Sequence, residues 1–261
     1  MTIEAHNLTL ARDGRTILAG LDFTAAPGQI TVLIGPNGSG KTTLLSALAG
    51  DLRPQSGRIT LGGTDIAGLS APALAARRAV LAQETQVAFP FTVAEVLRLG
   101  IETRSHPSGA ALMSRLLAEV DLHGMADRPY HALSGGERQR VQLARVLAQV
   151  HPAVTPQGPL WLMLDEPVSS LDIGHQLLVM DRARRFAAAG GGVIAVLHDL
   201  NLTAMVADQV LLLADGALLA KGRPAGVMTD ARMSQAYRWP IRMNRAPDSG
   251  PFLLPQMAGA A

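Results

Sequence analysis

The chain has 261 residues, 48% of them hydrophobic, enough for one large domain or two small ones with a sizeable core. A net charge of +2, 3% aromatic residues and no dense Lys/Arg cluster argue against a nucleic-acid face, and the lack of cysteine excludes disulfides and thiolate metal sites. No run of about 18 uninterrupted apolar residues occurs, so no segment is expected to span a bilayer by itself, and the first residues lack the basic-then-apolar pattern of a secretory leader.

In chain order, residues 1–29 alternate apolar and polar positions around Asp13-Gly14, which predicts antiparallel β-structure. Ile30 to Ile34 is a short β-branched run that reads as a buried strand. Gly35-Pro36-Asn37-Gly38-Ser39-Gly40-Lys41-Thr42 follows, and Thr43 leads into a helix with Leu44, Leu45 and Leu48 on one face and Gly50 as its stop. Strand, G-x-x-x-x-G-K-[ST] and helix together form the context of a phosphate-binding P-loop. Backbone amides of Gly35 to Thr43 would curl around phosphate oxygens at the positive end of the helix, Lys41 would reach the β- and γ-phosphates, and the Thr42 hydroxyl would ligate Mg²⁺. The pattern implies a nucleoside triphosphate site.

Arg58 to Leu61 predicts a strand, Gly62-Gly63 a turn and Thr64 to Ile66 the return; Ser70 caps a helix running to about Arg78, and Ala79 to Gln83 is a strand ending on a polar residue. From about Thr92 to Val150 the periodicity is helical, which predicts a helical subdomain at about residues 84–155, inserted in an α/β core and followed by the Pro-rich connection 151–159. The apolar run Leu160 to Leu164 ends in Asp165-Glu166, and a helix is expected from about Gly174 to Ala189. A strand Val193 to Leu197 then ends at His198, and a hairpin turns at Asp215-Gly216. Beyond it, a short helix near Asp230 to Tyr237, a final hairpin formed by Ile241 to Arg245 and Phe252 to Leu254, and a disordered AGAA end are expected.

The strand ends supply the rest of the chemistry. Asp165 at the carboxyl edge of its strand can hold Mg²⁺ beside the P-loop, and Glu166 can polarise a water for in-line attack on the γ-phosphate. His198, at the same edge, suits sensing of that phosphate. Ser134-Gly135-Gly136-Glu137 reads locally as a capping box, and it also creates a second glycine-rich helix N-terminus that favours anions. One nucleotide cannot easily meet two such sites in one chain, so a head-to-tail dimer is expected.

With these motifs in this order the chain resembles the nucleotide-binding subunits of ATP-binding-cassette (ABC) transporters over nearly its full length. The resemblance implies a P-loop NTPase fold with a RecA-like α/β core, an N-terminal antiparallel β subdomain and the inserted helical subdomain. It assigns residues 1–240 to the ATPase domain and 241–261 to a short extension. By it Gly35 to Thr42 is the Walker A loop, and Gln83 is the Q-loop glutamine, a catalytic residue that also ligates Mg²⁺. Leu133 to Glu137 is the signature, Asp165-Glu166 ends the Walker B strand, Ser170-Leu171-Asp172 is the D-loop and His198 is the switch histidine. The family often stacks adenine on an aromatic residue where this chain has Ala11-Arg12-Asp13-Gly14, so Arg12 is the candidate for stacking by its guanidinium plane. ATP and Mg²⁺ are the implied cofactors. The implied partners are a second ATPase copy, two transmembrane permease subunits and, indirectly, a periplasmic binding protein. The implied location is the cytoplasmic side of the inner membrane. The run Ala79 to Gly100, the Pro-rich insert, Pro167 to Gln176 and the short tail are most similar to the ATPases of bacterial haem importers, within a class that also imports ferric siderophores and vitamin B12. Long heptad arms of DNA-repair ATPases have no room between residues 84 and 159, and the catalytic residues a regulatory cassette would lose are all present.

Overall fold

The computed structural model describes residues 1–83, 89–103 and 109–254. Strands β1 (Ile3–Arg12) and β2 (Arg15–Ala25) form a hairpin whose two turn residues, Asp13 and Gly14, both have positive φ (51° and 75°), as a tight two-residue turn between twisted strands requires. β3 (Ile30–Ile34) and α1 (Lys41–Ala49) follow; then β4 (Ser56–Leu61) pairs with β1 and with β5 (Thr64–Asp65), giving an antiparallel sheet of order β2-β1-β4-β5. Ile66 leaves the expected return strand for a 3-10 turn, because the Asp65 carboxylate caps that turn through the Ala67 amide. The helix capped by Ser70, α2 (Ala71–Ala75), stops short of Arg78. Arg78 instead opens β6 (Arg78–Leu81), drawn into register opposite Trp161.

The helical stretch resolves into α3 (Val93–Glu102), α4 (Gly109–Glu119) and α5 (Gly135–Gln149), the first and third begun by complete capping boxes on Thr92 and Ser134. The Pro-rich connection contains a small hairpin, β7 (Val154–Thr155) with β8 (Gly158–Pro159), rather than plain coil. Then come β9 (Trp161–Asp165), α6 (Ile173–Ala188), β10 (Gly192–Val196), α7 (Leu200–Val206), β11 (Gln209–Ala214), β12 (Ala217–Gly222), α8 (Pro224–Val227) and α9 (Asp230–Tyr237). Helix α7, begun by Asp199 accepting from the Asn201 and Leu202 amides, carries no signal read in advance.

The expected final hairpin is absent: no residue from 241 to 254 is in a strand. Side chains of α9 meet this backbone instead. Ser234 accepts from the Ile241 amide and donates to its carbonyl, and Asp230 accepts from the Met243 amide at 2.8 Å. The expected disordered end, 258–261, lies outside the described residues.

The second sheet has order β12-β11-β3-β10-β9-β6, parallel except for β12. Its central strands are buried throughout, and their period of two divides the core. Leu33, Trp161, Met163 and Ile194 pack with α1 and the antiparallel sheet, while Val32, Ile34, Leu162 and Leu164 pack with α5, α6 and the helical layer. The helical layer is close-packed: a Cβ at Gly100 of α3 would sit 2.1 Å from the Arg145 carbonyl oxygen of α5. Among the described residues no helix is long and apolar enough to cross a membrane.

Candidate nucleotide site

In a parallel sheet the loops after the carboxyl ends of the strands share one edge. Here β3 delivers Gly35 to Lys41 to that edge, β9 delivers Asp165 and Glu166, β10 delivers His198, and β6 delivers Gln83. The P-loop turns through Gly35, Gly38 and Gly40, all at positive φ (145°, 78° and 94°). At Gly35 a side chain would also collide with the Leu213 carbonyl oxygen 2.0 Å away, so only glycine fits.

Helix α1 differs from α3, α5, α6, α7 and α9 in lacking any side-chain cap; its N-cap is Gly40. Its first-turn amides, at Lys41, Thr42 and Thr43, have no acceptor within the helix and carry the positive end of its dipole. The buried Ser39 hydroxyl has no protein partner either. Lys41 is 5% exposed and its Nζ donates to the Gly35 and Pro36 carbonyls at 2.8 and 2.9 Å. Burial pushes its ammonium below the usual lysine range, opposed by Glu166 and Asp165. A buried cation, a buried orphan hydroxyl and an uncapped helix start make this cradle complementary to phosphate oxygens.

The Thr42 hydroxyl donates to Asp165 Oδ1 at 3.1 Å, which joins the P-loop helix to the end of β9. Burial raises the Asp165 carboxyl above the usual aspartate value; the Thr42 hydrogen bond lowers it, adjacent Glu166 raises it, and His198 and Lys41 lower it. Two hard oxygen donors this close, with a carboxylate that resists being buried alone, fit a divalent cation of the magnesium type.

Glu166 adopts a left-handed backbone (φ 49°), rare for a residue with a side chain. Its amide donates to the Val196 carbonyl at 3.2 Å, which locks it to β10. Its carboxylate lies between two side chains: Gln83 Nε2 donates to Oε2 at 2.9 Å, and His198 Nε2 is 2.6 Å from Oε1. Gln83, Glu166 and His198, from three strands, therefore form one cluster beside Lys41 and Asp165.

Ser134 and Glu137 make the expected capping box, and α5 reaches the site in its own chain through Gln139, whose Nε2 donates to the Glu166 carbonyl at 3.4 Å. Among the described residues no hydrogen bond or ion pair joins Ser134, Gly135 or Gly136 to the P-loop of the same chain. A Cβ at Gly136 would meet Leu171 Cδ2 at 3.3 Å, so the start of α5 rests on the loop before α6. Asp172 caps α6, and Arg12 is exposed at the end of β1. Two contacts went unread in the sequence. One is that of Gln139. The other runs from α9: the Gly35 backbone hydrogen-bonds the Tyr237 phenol, which burial holds above the usual tyrosine value. Nothing local marks either residue, since a Gln on an amphipathic helix and a Tyr at a helix end are ordinary.

The fold and this arrangement define a P-loop nucleoside triphosphatase. A family model described as ABC transporter matches residues 18–169. The chain belongs to the ATP-binding-cassette transporter family, and is an ATP-binding, ATP-hydrolysing subunit. It is 54% identical over 259 residues to the hemin import ATP-binding protein HmuV of Jannaschia sp. (strain CCS1), covering 99% of this chain and 95% of the relative. It is 50% identical to the protein of the same name from Ruegeria sp. (strain TM1040), covering 100% of both. Among solved structures, an ATP-binding subunit of an ABC transporter superposes with a TM-score of 0.77 at 23% identity, covering 87% of this chain and 92% of that one; it shares the fold.

Proposed function

We propose that this chain powers haem import by hydrolysing Mg²⁺-ATP beneath a membrane-spanning permease, on the cytoplasmic side of the inner membrane of a bacterium. The observation that carries the motor role is the approach of Asp165 and Glu166 to the P-loop, through the Thr42–Asp165 hydrogen bond and the Gln83–Glu166–His198 cluster. Full-length identity of 54% to a hemin import ATP-binding protein supports haem as cargo.

In this reading the backbone N–H groups of Gly35 and of Asn37 to Thr43, with Pro36 shaping the loop, and the Lys41 ammonium hold the β- and γ-phosphates. Thr42, Asp165 and Gln83 would hold Mg²⁺, which would neutralise charge on the phosphate oxygens. Glu166 takes a proton from the attacking water as it adds to the γ-phosphorus and the bond to the ADP oxygen breaks. Gln83 and His198 hold that carboxylate in place, and His198 steadies the γ-phosphate. Two copies close head to tail, so that Ser134, Gly135, Gly136 and Asp172 of each face the other's nucleotide. Arg12 stacks its guanidinium plane on the adenine ring, a reading that its exposure at the end of β1 supports.

In this reading the ATPase domain runs to residue 240, just after α9, and 241–261 is a short extension; the hydrogen bonds of Ile241 and Met243 to α9 support a boundary there. The segment Glu84 to Leu99 lines the groove for a permease helix; residues 84–88 lie outside the described residues, and Phe89 and Leu99 are exposed apolar positions suited to being covered. A periplasmic haem-binding protein delivers cargo to the far side. Reconstitution with the permease in liposomes tests the whole reading. ATP-driven uptake of haem, lost in Glu166→Gln, is expected. Uptake of a ferric siderophore or cobalamin in its place would keep the motor and overturn the cargo.

A further inference from the structure

His175, in the first turn of α6, ties the loop between β9 and α6 to the turn after α4. Asp172 Oδ1 accepts from the His175 amide at 2.9 Å, and its Oδ2 lies 2.8 Å from His175 Nδ1. The other ring nitrogen, Nε2, lies 3.5 Å from Oδ2 of Asp121, in the turn after α4, where the backbone is left-handed (φ 57°). The imidazole is 27% exposed, while the Asp121 and Asp172 side chains are 73% and 70% exposed. Pairs in so much water add little to stability. What they add is position, because one ring meets carboxylates from two layers at once.

The loop so held touches the site on both sides. Ser169 donates to the Glu166 carbonyl from its hydroxyl at 3.2 Å, and Leu171 and Ser170 lie under Gly136 at the start of α5. Arg140 of α5, 7% exposed and with its Nε unpartnered, adds positive charge beside Asp172. A shift of the loop would therefore move Glu166 through its carbonyl.

We propose that His175 is a positioning residue for ATP hydrolysis, bridging Asp172 to Asp121 so that the placement of the helical layer sets the placement of the loop behind Glu166. This rests on the hydrolysis reading above. It predicts a shared effect: His175 and Asp121 act as one unit on turnover, and substrate affinity is left alone.

The test is a double-mutant cycle on the complex of this chain with its permease in liposomes, reading kcat and KM for ATP separately. His175→Ala is expected to lower kcat about 5- to 10-fold with KM within about twofold, Asp121→Ala to lower it about threefold, and the double variant to be no slower than His175→Ala. His175→Asn, whose amide can still donate to Asp172 but is too short for Asp121, should match Asp121→Ala. Unchanged kcat in His175→Ala, multiplicative effects in the double variant, or a KM that rises as kcat falls would overturn the proposal. If His175→Ala does not fold, His175→Asn and Asp121→Ala decide by whether they agree with each other. Hydrolysis by the complex that survives Glu166→Gln in an otherwise wild-type chain would overturn the hydrolysis reading itself, so the two failures are distinct.

Discussion

Glu166 closes β9 in a backbone conformation that few residues with side chains adopt, and its carboxylate is gripped by Gln83 and His198. Strain of this kind persists where surroundings over-determine it. Glu166→Gln keeps the shape and removes the base. ATP binding should remain while turnover falls by about two orders of magnitude or more in a single-turnover assay; near-normal turnover would remove Glu166 from the base role. Asp165 supports a pH prediction. Its folded-state pKa is raised by burial, so between the unfolded and folded values the native state binds more protons than the unfolded one. Stability from this group is therefore greatest at low pH and declines as pH rises through its folded pKa. Thermal unfolding without nucleotide should show Asp165→Asn more stable than wild type at neutral pH, with the gap closing as pH falls toward the carboxylate range. A gap that widens on acidification would contradict the sign. At this scale most of the site was legible, because each residue sits at a fixed offset within a motif. Tyr237 and Gln139 were not, because what distinguishes them is the backbone each one meets.

Elements are begun by caps and limited by close approaches. Thr92 and Glu95 form the box that starts α3, and the Glu95 carboxylate is held low chiefly by the Thr92 backbone amide. Thr92→Ala should cost about 1 kcal/mol in chemical denaturation. Gly100→Ala belongs to a different mechanism: it drives a methyl onto the Arg145 carbonyl of α5, a backbone atom that cannot rotate away. A cost of about 2–3 kcal/mol is expected, against a gain in intrinsic helix propensity; a stabilised Gly100→Ala would show that α3 and α5 part easily. Helix periodicity gave the stretch from about Thr92 to Val150 that holds α3, α4 and α5. The tail was misread as a hairpin for a physical reason. Apolar residues around Pro247 to Gly250 pattern like strands, but Asp230 and Ser234 of α9 capture the backbone groups that strand pairing would need.

For the whole molecule the decisive feature is what a single chain leaves apart. Ser134 to Gly136 open a capped helix with no bond to their own P-loop among the described residues, although the proposed mechanism brings both to phosphate. A Glu166→Gln protein with ATP and Mg²⁺ should sediment as a dimer. Adding Ser134→Arg should abolish that dimer while the monomer still binds nucleotide. A dimer that persists would disprove the head-to-tail arrangement.

The sequence by itself determined the glycine turns of the P-loop, the acidic end of β9 and the Ser134 capping box as local structure, because these depend on spacing within about ten residues and on local rules for glycine and caps. Tertiary structure alone decided which of them meet. Leu81 and Ala195 both stand opposite Leu164 in the parallel sheet, and that register brings Gln83 and His198 to the two oxygens of Glu166. Register follows from burying both faces of β9 between α1 and the helical layer. That packing is long-range, and no local pattern encodes it.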